Sequence, residues 1–268
     1  MSDSTRQRGR GVFIKHHGKN VVADYSRVKR LWKVCHDVDG LVAPKPLWID
    51  EDKGDIGYTK FEGLVPLISA CARKPDLMSE TGRLLAKLHL ATSVEGSVEK
   101  LRNTFYPINS FGFNSHSSRL LHKHLPLAYF HGDCWHGNIF MHGCENIVIL
   151  DPIPNFWIFD SKHIWANGAI DLAMLHMSIY LCHSALSHLR HSLDVYSLLA
   201  DNLLAGYFGA IGNESESVRR AVLSLSREIS RRHVLAYRER LSMPIATLKT
   251  HIGNRIMKQL DQKLQWNQ

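Results

Sequence analysis

Residues 131 to 138 read His131-Gly132-Asp133-Cys134-Trp135-His136-Gly137-Asn138, and Asp151 stands thirteen positions further on. Asp133 and Asn138 are five apart on a segment with two glycines, so both can face one cavity. Asp151 closes an apolar run, residues 146–150, and can meet them there. A carboxylate that orients a hydroxyl and accepts its proton, beside two oxygen donors for magnesium, is the equipment of phosphoryl transfer to an alcohol. Taken singly, Asp133 and Asn138 also fit ordinary turn residues that hydrogen-bond their own backbone. As an ordered set they point to chemistry.

Two other chemistries share this segment. His131, Cys134, His136, His142 and Cys144 are of the right types for zinc, but their spacing matches no common zinc framework. Cys134 beside His131 or His136 lacks the rest of a cysteine-hydrolase pattern.

The elements that must hold the segment are legible around it. Residues 128–130 and 146–150 read as strands that bracket the loop. Upstream, residues 11–15 form an apolar run of strand character. Residues 21–34 read as a helix in which Tyr25, Val28, Leu31 and Trp32 recur at three- and four-residue steps, with Arg27, Lys29 and Arg30 on the other side. Strands are expected at 47–50 and 56–61, and a second amphipathic helix at 76–91, where Leu77, Leu84, Leu85 and Leu88 share a face. Residues 93–118, rich in Ser, Asn and Gly, read as an irregular connection, and the pattern beyond residue 168 is helical. The order predicts an α+β chain of two lobes: a small β-rich lobe over 1–62, with a disordered basic tail at 1–10, and a mainly helical lobe over 63–268.

The 268 residues, 44% of them hydrophobic, suffice for a real core, and the formal charge of +8 favours anionic partners. Arg219, Arg220, Arg227, Arg231 and Arg232 recur along a late helical segment. They read as a solvated face, because no interleaved aromatics accompany them, and nucleic acid is not expected as a partner. Five cysteines without a Cys-x-x-Cys pair indicate a reduced, cytoplasmic protein. The first ten residues have no apolar core for a signal peptide. The stretch 169–186 is interrupted by Asp171, His176, Ser178, His183 and Ser184, so no membrane span is expected. Oligomeric state has no signature in the sequence.

His-Gly-Asp, four intervening residues, Asn, then a strand ending in Asp resembles the signature of the aminoglycoside phosphotransferase and choline kinase superfamily, relatives of the protein kinases. Trp135, the pair Asp151-Pro152 and the later Asp171-Leu172-Ala173-Met174 are most similar to the fructosamine kinase branch, and Asp-Pro at this point also occurs in streptomycin-type phosphotransferases. The resemblance implies a two-lobed protein-kinase-like fold that uses ATP and Mg2+ to phosphorylate a hydroxyl of a small molecule. It implies Asp133 as catalytic base, Asn138 and Asp151 as magnesium ligands, and His131 and Asp171 as supports of the catalytic loop. Lys15 takes the place of the strand lysine that contacts the α- and β-phosphates. Tyr58, Thr59, Lys60 and Phe61, running on to Glu62 before Gly63, match the hinge whose backbone would hold adenine.

The sequence departs from the family pattern in two places. The usual partner of the strand lysine is a helix glutamate, and the best match here is Asp24, one methylene shorter. Ahead of that lysine the family has two strands joined by a phosphate-covering loop, where this chain offers fourteen residues, mostly polar. The expectation is therefore a kinase without that roof or, alternatively, a kinase-fold protein that binds a nucleotide or a protein partner without turnover. No acidic acceptor wall is evident in a chain of this net charge, with acids such as Asp194, Asp201, Glu214, Glu216, Glu228 and Glu239 thinly spread. A sugar or a glycated amine is favoured over a polycation such as an aminoglycoside. Tyr180, His183, His188, His191 and Tyr196 read equally as core, surface or ligand.

Overall fold

The computed structural model describes residues 11–94, 105–111, 115–143, 145–152, 163–181, 193–213, 215–241 and 243–266. The basic tail, Cys144, His183, Ser184, His188, His191 and Glu214 lie outside the described residues.

The chain opens with β1 (Val12–His16), α1 (Val21–His36), β2 (Leu41–Val42), β3 (Pro46–Asp50) and β4 (Asp55–Thr59). β1, β4 and β3 form an antiparallel sheet in that order, with Phe13 opposite Tyr58 and Lys15 opposite Ile56. This is the predicted succession of strand, helix, strand, strand, with β2 added. β2 leaves the sheet and pairs in parallel with β9 (Asn146–Ile149).

α1 buries Val21, Asp24, Val28, Leu31 and Cys35, which recur at three- and four-residue steps and so share one face. Val21 and Val28 close a small core with Ile56 and Tyr58, while Leu31 and Cys35 enter the main core. Arg27 also lies on the buried side, at 4% exposure. That corrects its expected place on the outer face with Lys29 and Arg30; its guanidinium is solvated by carbonyls inside the protein.

β5 (Val65–Pro66), α2 (Leu67–Cys71) and α3 (Asp76–Ala91) follow, α3 with the bounds predicted from its leucines. The connection expected to be irregular holds β6 (Phe105–Tyr106), a 3-10 turn (Ile108–Phe111) and the first turn of α4 (Ser115–His124). Composition conceals α4: eight of its ten residues are Ser, His, Arg or Lys, and only Ser118 and Leu121 are buried. β7 (Leu127–Tyr129), β8 (Ile139–His142) and β9 then bracket the loop. β8 and β9 pair antiparallel with Ile139 opposite Ile149, inside a sheet of order β2-β9-β8-β5. β10 (Trp165–Asn167) lies between β6 and β7 in a second small sheet.

α5 (Ala169–Leu181), α6 (Leu193–Ile211), α7 (Glu216–Arg240) and α8 (Met243–Trp266) complete the chain. α5 is buried at every residue from Ala169 to Tyr180. A helix apolar on all sides is a core helix when neighbours surround it, and no helix among the described residues is long and apolar enough to cross a membrane. α3 and α6 touch backbone to backbone: a Cβ on Gly82 would lie 2.1 Å from Leu203 O, and one on Gly206 would lie 1.8 Å from Ser79 O. The arginines of α7 are held locally, Arg219 by Asp201, Arg220 by Glu216, Arg227 by Asp261 and Arg231 by Glu228. They form the solvated face that was expected, and the structure adds that these four are charge-paired. The result is a two-lobed α+β fold with a small sheet lobe and a mainly helical one.

Candidate active site

β7 delivers Phe130 to a loop that is held by its main chain. Asp171, in the first turn of α5, accepts His131 N–H at Oδ2 (2.8 Å) and Gly132 N–H at Oδ1 (3.0 Å). Both amides can reach one carboxylate because Gly132 turns the chain at φ +80°, a conformation glycine takes without penalty. Burial pushes the Asp171 carboxyl up, but His89, His131 and the Gly132 amide outweigh it and hold it below the usual carboxylate range. His89 Nε2 on α3 lies 3.6 Å from Asp171 Oδ2, and its Nδ1 is 2.8 Å from the hydroxyl of Tyr207 on α6. Three helices thus converge behind the loop.

His131 ties the loop to the end of β9. Its Nδ1 accepts Asp133 N–H (3.2 Å), so the ring proton sits on Nε2 and is donated to Leu150 O (3.0 Å). Burial drives the His131 pKa down against the opposing pull of Asp171 and Asp151. The neutral imidazole is the species both bonds require. Asn138 faces Asp133 across the loop, Nδ2 donating to Asp133 O (2.9 Å) and Oδ2 (2.8 Å). Leu150 N–H returns to Asn138 O (2.9 Å). Asp151 follows at φ +59°, the one non-glycine among the described residues in the left-handed region. Such positions cost about 1 kcal/mol or more and concentrate at functional sites.

Across from this loop, Lys15 Nζ on β1 donates to Asp151 Oδ2. The structure therefore brings Asp133, Asn138, Asp151 and Lys15 together. It does not pair Lys15 with Asp24. Asp24 Oδ2 receives His17 Nδ1 (3.1 Å), and His17 Nε2 lies 2.9 Å from the Tyr58 hydroxyl. The shorter acid is met by a histidine two residues beyond the lysine. Tyr58 is buried, and burial, then Asp151 and Asp24, push its phenol pKa up. Along the predicted hinge, Thr59 N–H donates to Lys45 O (3.0 Å) and Lys60 N–H to Gly11 O (2.8 Å). Phe61 packs edge-on against His142.

Several residues at the site carry no mark in the sequence. Arg27 donates from Nε to Pro152 O (2.9 Å), from Nη2 to Phe130 O (2.8 Å) and from Nη1 to His163 O. Tyr129 returns its hydroxyl to Arg27 O (3.2 Å). Ser178 Oγ accepts His136 N–H (2.9 Å). For His89 the available signal was its place on the apolar face of α3, and for Arg27 its step of three from Asp24. The zinc and thiol readings find no support. No group of three metal-ligating side chains forms among the described residues. Burial pushes the Cys134 thiol well up, away from thiolate character, and pushes His136 down to about 4.

No family model and no curated protein sequence matches this chain. Solved structures do. A choline/ethanolamine kinase family protein from Mesorhizobium loti superposes with a TM-score of 0.62 at 17% identity, over 96% of this chain and 86% of that one. An aminoglycoside 2'-phosphotransferase-IIIa in its GDP complex gives 0.58 at 12% identity, over 93% and 87%. A glucosamine kinase in complex with glucosamine, ADP and inorganic phosphate gives 0.57 at 12% identity, over 96% and 79%. The likeness covers 93–96% of this chain, so the chain has the protein-kinase-like fold shared by aminoglycoside phosphotransferases and choline kinases.

Proposed function

We propose that this protein transfers the γ-phosphoryl group of ATP to a hydroxyl of a small molecule. The observation that carries the reading is the meeting of Lys15 with Asp151 and of Asn138 with Asp133, the two pairs tied by the Leu150 N–H to Asn138 O bond, with Lys15 brought in from a distant strand. In this reading residues 1–62 hold the nucleotide and 63–268 supply catalysis and the acceptor site. Asp133 takes the acceptor's hydroxyl proton as the oxygen bonds to phosphorus and the bond to the nucleoside diphosphate breaks. Asn138 keeps the Asp133 carboxylate turned by donating to Oδ2. The donor set fits magnesium: with both Nδ2 bonds of Asn138 directed at Asp133, its Oδ1 is a hard oxygen left for a cation, and Asp151 would add a carboxylate. When bound, the ion neutralises phosphate charge. Lys15, facing the same carboxylate, adds a second positive charge for the phosphates. The N–H groups of Thr59 and Lys60 are already paired, which leaves the backbone from Phe61 onward for the base.

The acceptor is read as a neutral or anionic alcohol, a sugar or a glycated amine. Three acids of the helical lobe that a polycation could use are internally matched: Asp201 holds both Arg219 and Lys263, and Glu216 and Glu228 hold arginines of α7. A cavity of about 780 Å³ between α5, α6, α7 and α8 is lined by Tyr180, Asp201, Arg219 and Lys263, among others, and touches none of the four converging residues.

The test is magnesium-dependent ATP turnover on a panel of glycated amines, sugars and aminoglycosides, wild type against Asp133→Ala. Acceptor-stimulated turnover that Asp133→Ala abolishes is expected. The absence of both turnover and magnesium-nucleotide binding would overturn the reading. Tight nucleotide binding without turnover would instead assign a nucleotide-binding module built on this fold.

A further inference from the structure

The peptide joining Phe130 to His131 is gripped at both ends by buried ions. Its carbonyl accepts Arg27 Nη2 (2.8 Å), and its N–H donates to Asp171 Oδ2 (2.8 Å). Arg27 and Asp171 are 4% and 1% exposed. Burial lowers the Arg27 pKa, with Asp171 and Asp24 among the groups that oppose the shift. A buried guanidinium without such compensation would be strongly destabilising. Here the two charges are matched through a single peptide dipole.

The remaining donors of Arg27 reach the other parts of the centre. Nε holds Pro152 O (2.9 Å), directly after the left-handed Asp151, and Nη1 holds His163 O at the entry to β10. Tyr129 lies under the guanidinium, its ring centroid 6.0 Å from Cζ, and returns its hydroxyl to Arg27 O (3.2 Å). The rigid, planar fork of arginine can satisfy three carbonyls at once, which a lysine ammonium on a flexible stem cannot do in the same geometry. One α1 side chain therefore fixes the residue before the His131–Asp133 loop and the residue after Asp151.

We infer that Arg27 is a positioning residue that sets Asp133 and Asp151 relative to each other and to the helix behind Lys15, an inference that rests on the phosphotransfer reading above. It touches neither nucleotide nor acceptor, so its loss is felt in kcat rather than in binding. A displacement of the order of 1 Å costs about 100-fold in rate.

The test compares the full chain with Arg27→Lys, Arg27→Met and the milder Tyr129→Phe. It measures kcat and KM on the best acceptor of the panel, magnesium-ATP affinity, thermal unfolding, and amide hydrogen exchange over residues 128–135. At a temperature where each variant is folded, Arg27→Lys is expected to lose about 100-fold in kcat with both KM values within about threefold. Exchange at 130–133 is expected to quicken while α6 and α7 keep their protection. Should the Arg27 variants not fold, Tyr129→Phe carries the test, with a smaller kcat loss and the same local exchange signature. A folded Arg27→Lys protein with wild-type kcat, or exchange that rises evenly over α5 and α6, would overturn the inference and leave Arg27 a core-stability residue. If the wild type turns over no acceptor, the phosphotransfer reading fails, and exchange at 130–133 still decides whether Arg27 fixes the loop.

Discussion

Lys15 Nζ and Asp151 Oδ2 meet directly, while Asp24, the acid placed to receive that lysine, is occupied by His17. The two acids therefore separate in their consequences. Lys15→Met removes a cation from the locus proposed to hold the nucleotide phosphates and is expected to raise the nucleotide KM tenfold or more, as read from initial rates. Asp24→Ala leaves the Lys15–Asp151 contact in place, so the nucleotide KM should stay within about threefold. It strands a buried imidazole nitrogen and should instead lower the urea midpoint by the equivalent of about 1–3 kcal/mol. A large KM effect from Asp24→Ala would show that the lysine changes partner when nucleotide binds.

Asp133→Asn keeps the shape of the loop while removing the proposed proton acceptor. A general base of this kind contributes about 100- to 10,000-fold. The variant is expected to lose that much in kcat with nucleotide affinity, measured by calorimetry, within about threefold of wild type. Equal loss of affinity and rate would mean that Asp133 holds ligand rather than a proton.

Acid sensitivity is predicted to come in part from a histidine remote from the chemistry. His176, fully buried on α5, is pushed down to about 3 by burial, with Lys263 adding to the shift and Asp201 opposing it. The unfolded chain takes up that proton near pH 6.5. The folded value lies below the unfolded one, so the stabilising contribution is complete above about 6.5 and falls away as the pH drops toward 3. His176→Phe should flatten the fall in urea midpoint between pH 6.5 and 4. At pH 7 it should cost nothing, because neither ring nitrogen has a hydrogen-bond partner among the described residues. An unchanged acid limb would count against this assignment.

Gly82→Ala or Gly206→Ala would force α3 and α6 apart, since each new Cβ meets a main-chain carbonyl oxygen rather than a side chain that can turn away. A destabilisation of about 3 kcal/mol or more is expected in thermal unfolding. Activity measured below the new midpoint should also fall, because α3 carries His89 and α6 carries Tyr207 behind Asp171.

What the sequence revealed and concealed follows from what each element depends on. α3 was legible because leucines at helical spacing fill a core. The His131–Asp151 frame was legible because its residue types and spacing are those that the proposed phosphoryl transfer would require. α4 was concealed because a short, polar helix gains its stability from tertiary contact rather than from its own pattern. Arg27 was concealed for a related reason. Its partners are carbonyls at 130, 152 and 163, and carbonyl acceptors leave no trace in side-chain identity. Asp24 was read as the helix acid that partners Lys15; the structure gives it His17 instead, a pairing that depends on the fold of the β1–α1 turn.

The anchors of the loop share one habit. Arg27, Asp171, His131 and Asn138 grip main-chain atoms at Phe130, His131, Gly132, Leu150 and Asp133. A frame written in peptide groups is indifferent to most of the side chains it carries. Trp135, 39% exposed, supplies no side-chain hydrogen bond to this frame among the described residues, so its replacement should leave the loop geometry in place.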